Sequence, residues 1–405
     1  MKSHRYIVRG KKVVTVSKLG TINNGAFAVE DGKILAVGKW KELQEHYPSL
    51  PVIDYSDYVI TPSLVDCHTH LLEFAPSSLY STSPENHFAV GKALLLSALS
   101  SGITALGEQI CGHPFCDFTV SDYRSAVLDI PLDVSFATTS ISIGFEKLVH
   151  YTAITQSQAI EKKELVNPYV VQRIALASDY PGENIFINAT PANFTTDEVP
   201  RAGEIIYTLE ELRQIVEIYH QSGKKIGAHV AGEVALQMAL EARVDVLHHA
   251  HGITEQLMEK VAEQQVKVVA TPMGGTHLCP NSPEEILKLM NNNIGVSIST
   301  DSYLPPYQGI SWLPFQDQTL KGPDVMMLIA NPAMQLLKQH NYDENEILAM
   351  LTAHPAEILG KEDCFGRLEW GLDANFLVAE GVPGLEITEI EKIRQVFFRG
   401  EKVID

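Results

Sequence analysis

Between residues 59 and 360, short β-rich runs alternate with segments of helical periodicity. The runs end near His70, Glu108, Thr138, Asn188, His229, His249, Thr271 and Asp301. Leu209-Glu-Glu-Leu-Arg-Gln-Ile-Val-Glu-Ile-Tyr has apolar residues at helical spacing, and Gly223 can close it before the next run. Glu255-Gln-Leu-Met-Glu-Lys-Val-Ala behaves likewise. Such alternation predicts an α/β chain with parallel strands, and eight units are what a (β/α)8 TIM barrel requires. In that fold the reacting groups lie at the C-terminal ends of the strands.

The two chain ends read differently. Tyr6-Ile-Val-Arg, Lys12-Val-Val-Thr-Val and Gly25-Ala-Phe-Ala-Val are strand-like, and Asp31-Gly32 predicts a hairpin turn into Lys33-Ile-Leu-Ala-Val. Ala374-Asn-Phe-Leu-Val-Ala-Glu and the run from Arg394 are strand-like again. Neither end buries much alone. The expectation is a small β-sandwich built from residues 1–58 and 361–405, with the barrel over 59–360.

Polar residues mark the predicted strand ends. The run Val59–His70 ends in His68-Thr69-His70, whose two imidazoles share one strand face. Lys225-Ile-Gly-Ala-His229, Val244-Asp-Val-Leu-His-His249 and Gly295-Val-Ser-Ile-Ser-Thr-Asp301 end in the same kind of residue. A lone buried histidine is usually satisfied by backbone, and a strand-end aspartate often caps a helix. Four histidines and an aspartate at one barrel mouth are better explained as a metal cluster. Imidazole with carboxylate suits zinc, with iron the alternative.

Thr61-Pro-Ser-Leu-Val-Asp-Cys-His-Thr-His70, Ala228-His229, Val244–His249 and Ser299-Thr-Asp301 together resemble the metal-binding signature of the amidohydrolase superfamily. Gly25–Gly38, Thr352–Gly360 and Gly366–Val378 resemble the family's two end segments. The resemblance implies that His68, His70, His229 and Asp301 hold a divalent metal. It also implies a metal-bound hydroxide as nucleophile, with Asp301 shuttling the proton. His249 is then a second-metal ligand or the imidazole that polarises the substrate, with His251 in reserve and His248 turned to the opposite face. Asp66 shares the face of His68 and His70, so it could orient an imidazole or be an ordinary buried carboxylate.

Binuclear members carry a carboxylated lysine on the fourth strand, but Asn184-Ile-Phe-Ile-Asn-Ala-Thr190 has no lysine. One zinc ion is therefore expected, as in the family's deaminases and imidazolonepropionase-like enzymes. The deaminase glutamate position holds Gly232, with Glu233 one step later. Glu108, His113, His277 and Glu233 are candidate substrate contacts. The implied activity is hydrolysis of a non-peptide C–N bond (amide, cyclic amide or amidine) in a small molecule. A peptidase-like member acting on dipeptides or N-acyl amino acids is the alternative, and a non-catalytic member a second.

Composition narrows the partners. A net charge of −19 repels phosphate backbones and anionic membranes, so no nucleic acid and no membrane is expected. The expected partners are a small-molecule substrate and, for any assembly, further copies of the chain. Five scattered cysteines and no apolar signal core point to the cytoplasm.

Overall fold

The computed structural model describes residues 5–79, 83–112, 114, 116–144, 147–191 and 202–405. The fold is mixed α/β. Its central feature is a series of parallel strands: Leu64–Thr69, Ile103–Ile110, Asp133–Thr138, Ile185–Phe186, Gly227–Ala231, Val246–His251, Lys267–Ala270 and Val296–Ile298. The first three pair in order, and the fourth to eighth pair in order. The third strand runs on into Ser140–Gly144, whose Ser140 pairs with Ile185 of the fourth. Just past the eighth, the Asp301 amide donates to the His68 carbonyl at 3.1 Å and the His70 amide to the Ser302 carbonyl at 2.8 Å. The last strand thus returns to the first, bringing residues 230 positions apart onto one rim.

Helices between the strands form where the sequence caps them. Thr208 and Glu211 make a reciprocal capping box at the start of Leu209–Gln221. That helix buries Leu212, Ile215, Val216 and Tyr219 on one face, each contributing roughly 1.5–3 kcal/mol. Gly223, at φ 69°, takes the left-handed turn beyond its end.

The chain ends meet as expected, but their strands pair into one continuous eight-stranded sheet. Phe376–Ala379 pairs antiparallel with Val59–Pro62, and Arg5–Val14 pairs parallel with the same long strand, Val52–Pro62. Pro62 therefore ends a strand rather than starting one, and the first parallel strand begins at Leu64. The Asp31-Gly32 turn forms, with both residues at positive φ. Tyr6, Val8, Phe27, Ile60, Phe376 and Phe397 pack together on one face of this sheet. No helix among the described residues is long and apolar enough to cross a membrane.

Candidate metal centre

Six buried or nearly buried side chains converge inside the rim: His68, His70, Glu183, His229, His249 and Asp301. Glu183 was not anticipated. It sits just ahead of the short fourth strand, where the chain enters through Pro181-Gly182. Gly182 presses on Gly227 of the fifth strand so closely that a Cβ at 227 would lie 2.0 Å from the Gly182 carbonyl oxygen. That approach, open only to glycine, lets the next residue reach the centre.

Glu183 spans the cluster. Its Oε1 lies 2.6 Å from both His229 Nδ1 and His249 Nε2. Its Oε2 lies 3.3 Å from His68 Nε2 and 3.6 Å from His70 Nε2. Asp301 Oδ1 faces the same two nitrogens at 3.2 and 3.4 Å. Two triads, His68–Glu183–His249 and His68–His70–Asp301, each bring three ligand atoms within 4.8 Å of one another.

Hydrogen bonds behind the imidazoles fix which nitrogen carries a proton. The Thr271 hydroxyl donates to the Gly274 carbonyl at 2.7 Å, which uses its only hydrogen. His249 Nδ1, at 2.7 Å, and His251 Nε2, at 3.1 Å, must therefore donate to the Thr271 oxygen. Burial pushes His249 down to about 4, against the pull of Glu183, so the ring is neutral. Its Nε2 lone pair then faces a carboxylate oxygen at 2.6 Å, a contact that only a cation relieves.

His248 plays the same part for His68. Its Nε2 donates to the Pro181 carbonyl at 3.1 Å, and burial keeps the ring neutral. Its Nδ1 must then accept from His68 Nδ1, 3.1 Å away. His68 Nε2 is left buried without a hydrogen-bond partner, as is His229 Nε2. Burial lowers the His68 pKa, but Glu183 and Asp301 outweigh it and lift the ring to about 9. Both carboxylates stay ionised: burial opposes this, and the imidazoles, His68 foremost, overcome it. The donor set demands positive charge and fits divalent metal.

Strand alternation was expected to turn His248 away from the site. His249 and Ala250 instead have φ of 68° and 52°, and the register with the fifth strand slips there. This bulge lets His249 face the centre while His248 packs behind the His68 ring. Asp66 contacts no imidazole nitrogen. It accepts from the His68 amide at 3.2 Å and the Thr300 hydroxyl at 2.6 Å, tying the first strand to the loop that carries Asp301.

The other candidate contacts are placed as follows. Glu108 is fully buried and accepts from the Thr69 hydroxyl and the Leu71 and Leu72 amides, so it braces the turn after His70. Glu233 opens the helix Glu233–Glu241 and is exposed. His277 packs over Gly203 and does not line the pocket. His113 lies outside the described residues. The loop after the seventh strand, which carries Gly274 and Gly275, approaches the centre: a Cβ on Gly275 would lie 2.3 Å from Asp301 Oδ2.

A model of the amidohydrolase family matches residues 59–403. The chain belongs to the amidohydrolase family. As an amidohydrolase it is a hydrolase acting on carbon–nitrogen bonds. A bacterial imidazolonepropionase-like composite domain matches residues 25–49. The imidazolonepropionase of Pyrobaculum arsenaticum is 24% identical over 320 residues, covering 73% of this chain and 77% of that protein. That of Fusobacterium nucleatum is 22% identical, covering 88% and 85%. Among solved structures, molinate hydrolase superposes with a TM-score of 0.73 at 17% identity, over 100% of this chain and 95% of that one. A Xaa-Pro dipeptidase gives 0.70 at 16%, over 99% and 100%. Likenesses at this identity concern the fold.

Proposed function

We propose that this amidohydrolase is a divalent-metal-dependent enzyme that cleaves a non-peptide C–N bond, in an amide, cyclic amide or amidine, of a small molecule. The parallel strands are read as a (β/α)8 barrel over 59–360, with residues 1–58 and 361–405 as the accessory unit. The observation that carries the reading is the pair of nitrogens, His229 Nδ1 and His249 Nε2, 2.6 Å from one oxygen of Glu183 while the His249 proton is committed to Thr271.

His68, His70, Glu183 and Asp301 would hold a first cation, and Glu183, His229 and His249 a second. The expectation of a single ion rested on a fourth strand without an anionic bridge, and Glu183 is such a group. Zinc fits these donors best, with iron the alternative. A bound cation would lower the pKa of a water molecule toward neutrality and so supply hydroxide. Asp301, at the pocket wall, is placed to take the proton of the attacking water and pass it to the leaving nitrogen. His249 has its proton on Nδ1, facing Thr271, and none to offer an oxyanion. This supports a ligand role over polarisation of the substrate.

The peptidase-like alternative gains from Glu183, because the missing lysine no longer counts against a bridged pair. Five free thiols are in keeping with a reducing, cytoplasmic setting. The test is metal content with turnover of C–N substrates. About two ions per chain are expected, and His68→Ala or Asp301→Asn should cut kcat/KM by at least ~10³-fold with circular dichroism unchanged. Full activity in either variant would remove the mechanism.

A further inference from the structure

The wall facing the metal centre is apolar. Phe74, Ile141, Ile143, Phe186, Tyr303 and Leu304 line the pocket beside five of the six converging side chains, all but His68. Among the described residues no lysine or arginine lines it. Its two carboxylates, Glu183 and Asp301, lie at the metal centre with His70, on the side away from Ile141 and Ile143.

This wall is built separately from the main core. Ser140–Gly144 continues the third strand and folds back on Leu148–Thr152 as an antiparallel pair. Ile141 and Ile143 are two residues apart, so they share one face of that hairpin. With Cys111, Tyr151 and Phe186 they form a small apolar cluster of their own. Phe186 also stacks on the His229 ring at 4.3 Å, joining this cluster to the metal ligands. The pocket offers about 60 Å³, less than the ~150 Å³ apolar cavity that accepts benzene.

We infer that the substrate is a neutral amide whose group next to the scissile bond is small and apolar, not an amide carrying a carboxylate there. The inference rests on the hydrolase reading above and narrows its substrate class. A carboxylate carried beyond the reacting carbonyl would lose its water against Ile141 and Ile143 and, among the described residues, meet no lysine or arginine there. An alkyl group of the same shape gains from the same contact.

The test uses a pair that differs only in carrying a terminal methyl or a terminal carboxylate, the p-nitroanilides of butyric and succinic acid, with the metal-loaded protein. Calorimetry gives Kd, and nitroaniline release gives kcat/KM. The butyryl compound should bind at least tenfold more tightly and, where turned over, be preferred by at least the same factor. Ile143→Arg should reverse the preference, and Ile141→Arg serves if that variant fails to fold. Equal or tighter binding of the succinyl compound overturns the inference and leaves the hydrolase reading standing. Binding of neither below about 1 mM overturns it too. A protein that binds the butyryl compound with the predicted preference but hydrolyses no amide, cyclic amide or amidine supports the pocket assignment and removes the proposed function instead.

Discussion

At the scale of single residues, Thr271 does as much for the centre as a ligand. Its one hydroxyl proton goes to Gly274, so its oxygen receives two imidazole N–H groups. Thr271→Val keeps the shape and removes that acceptor, leaving two buried donors unpaired. Metal affinity should fall 10–100-fold while the fold persists, read by competition with a chromophoric chelator. An unchanged Kd would mean the His249 tautomer is set elsewhere. His68, His70, His229, His249 and Asp301 stood out in the sequence because each lies at or near the end of a β-rich run, and the choice of His249 over His248 came from the family resemblance. Glu183 did not stand out, because it precedes its strand and is turned inward by a contact between Gly182 and Gly227 that no local pattern reports. Its signal was a lone glutamate, in Tyr180-Pro-Gly-Glu183, flanking an apolar run. Glu183→Gln keeps the size but drops the charge that two imidazole nitrogens face. It should reduce the bound metal from about two ions per chain to one or fewer, measured by elemental analysis after dialysis.

At the scale of elements, the strand ends were read to within a few residues, since apolar runs between helical segments leave little choice. The sixth strand escaped its own rule. Alternation sends His248 and His249 to opposite faces, but two successive left-handed residues let His249 face the centre while His248 packs behind the His68 ring. Helix Pro283–Asn291 illustrates a cost in stability. Glu285, in its first turn, is pushed by burial from 4.5 up to about 7, despite hydrogen bonds that favour its charged form. A carboxyl whose folded pKa is raised binds its proton more tightly in the folded state. Its contribution to stability is complete below about pH 4.5 and is lost as pH rises through about 7. Glu285→Gln should therefore match the parent near pH 4.5 and exceed it by roughly 2–3 kcal/mol at pH 8. Urea unfolding at the two pH values checks this, and a gain that is the same at both would point to packing rather than charge.

At the scale of the whole molecule, the centre is held by distant parts of the chain. His68 and His70 come from the first parallel strand, Glu183 from the approach to the fourth, His229 and His249 from the fifth and sixth, and Asp301 from beyond the eighth. The sequence order of these segments was readable. Their meeting depended on closure, which here includes the backbone bonds between 68–70 and 301–302. Cations bound among them stabilise the folded state alone, since the unfolded chain scatters their ligands. With free zinc at a thousand times Kd, that linkage is worth about 4 kcal/mol. For a chain of 405 residues it corresponds to a fall in Tm of about 5 °C when metal is removed. Treatment with a chelator should lower Tm by about that much, and added zinc should restore it. Glu183→Gln should lose less on chelation, because less metal is there to lose. If chelation leaves Tm unchanged in the parent while metal is shown to have left, the six side chains do not tie the strands together through an ion.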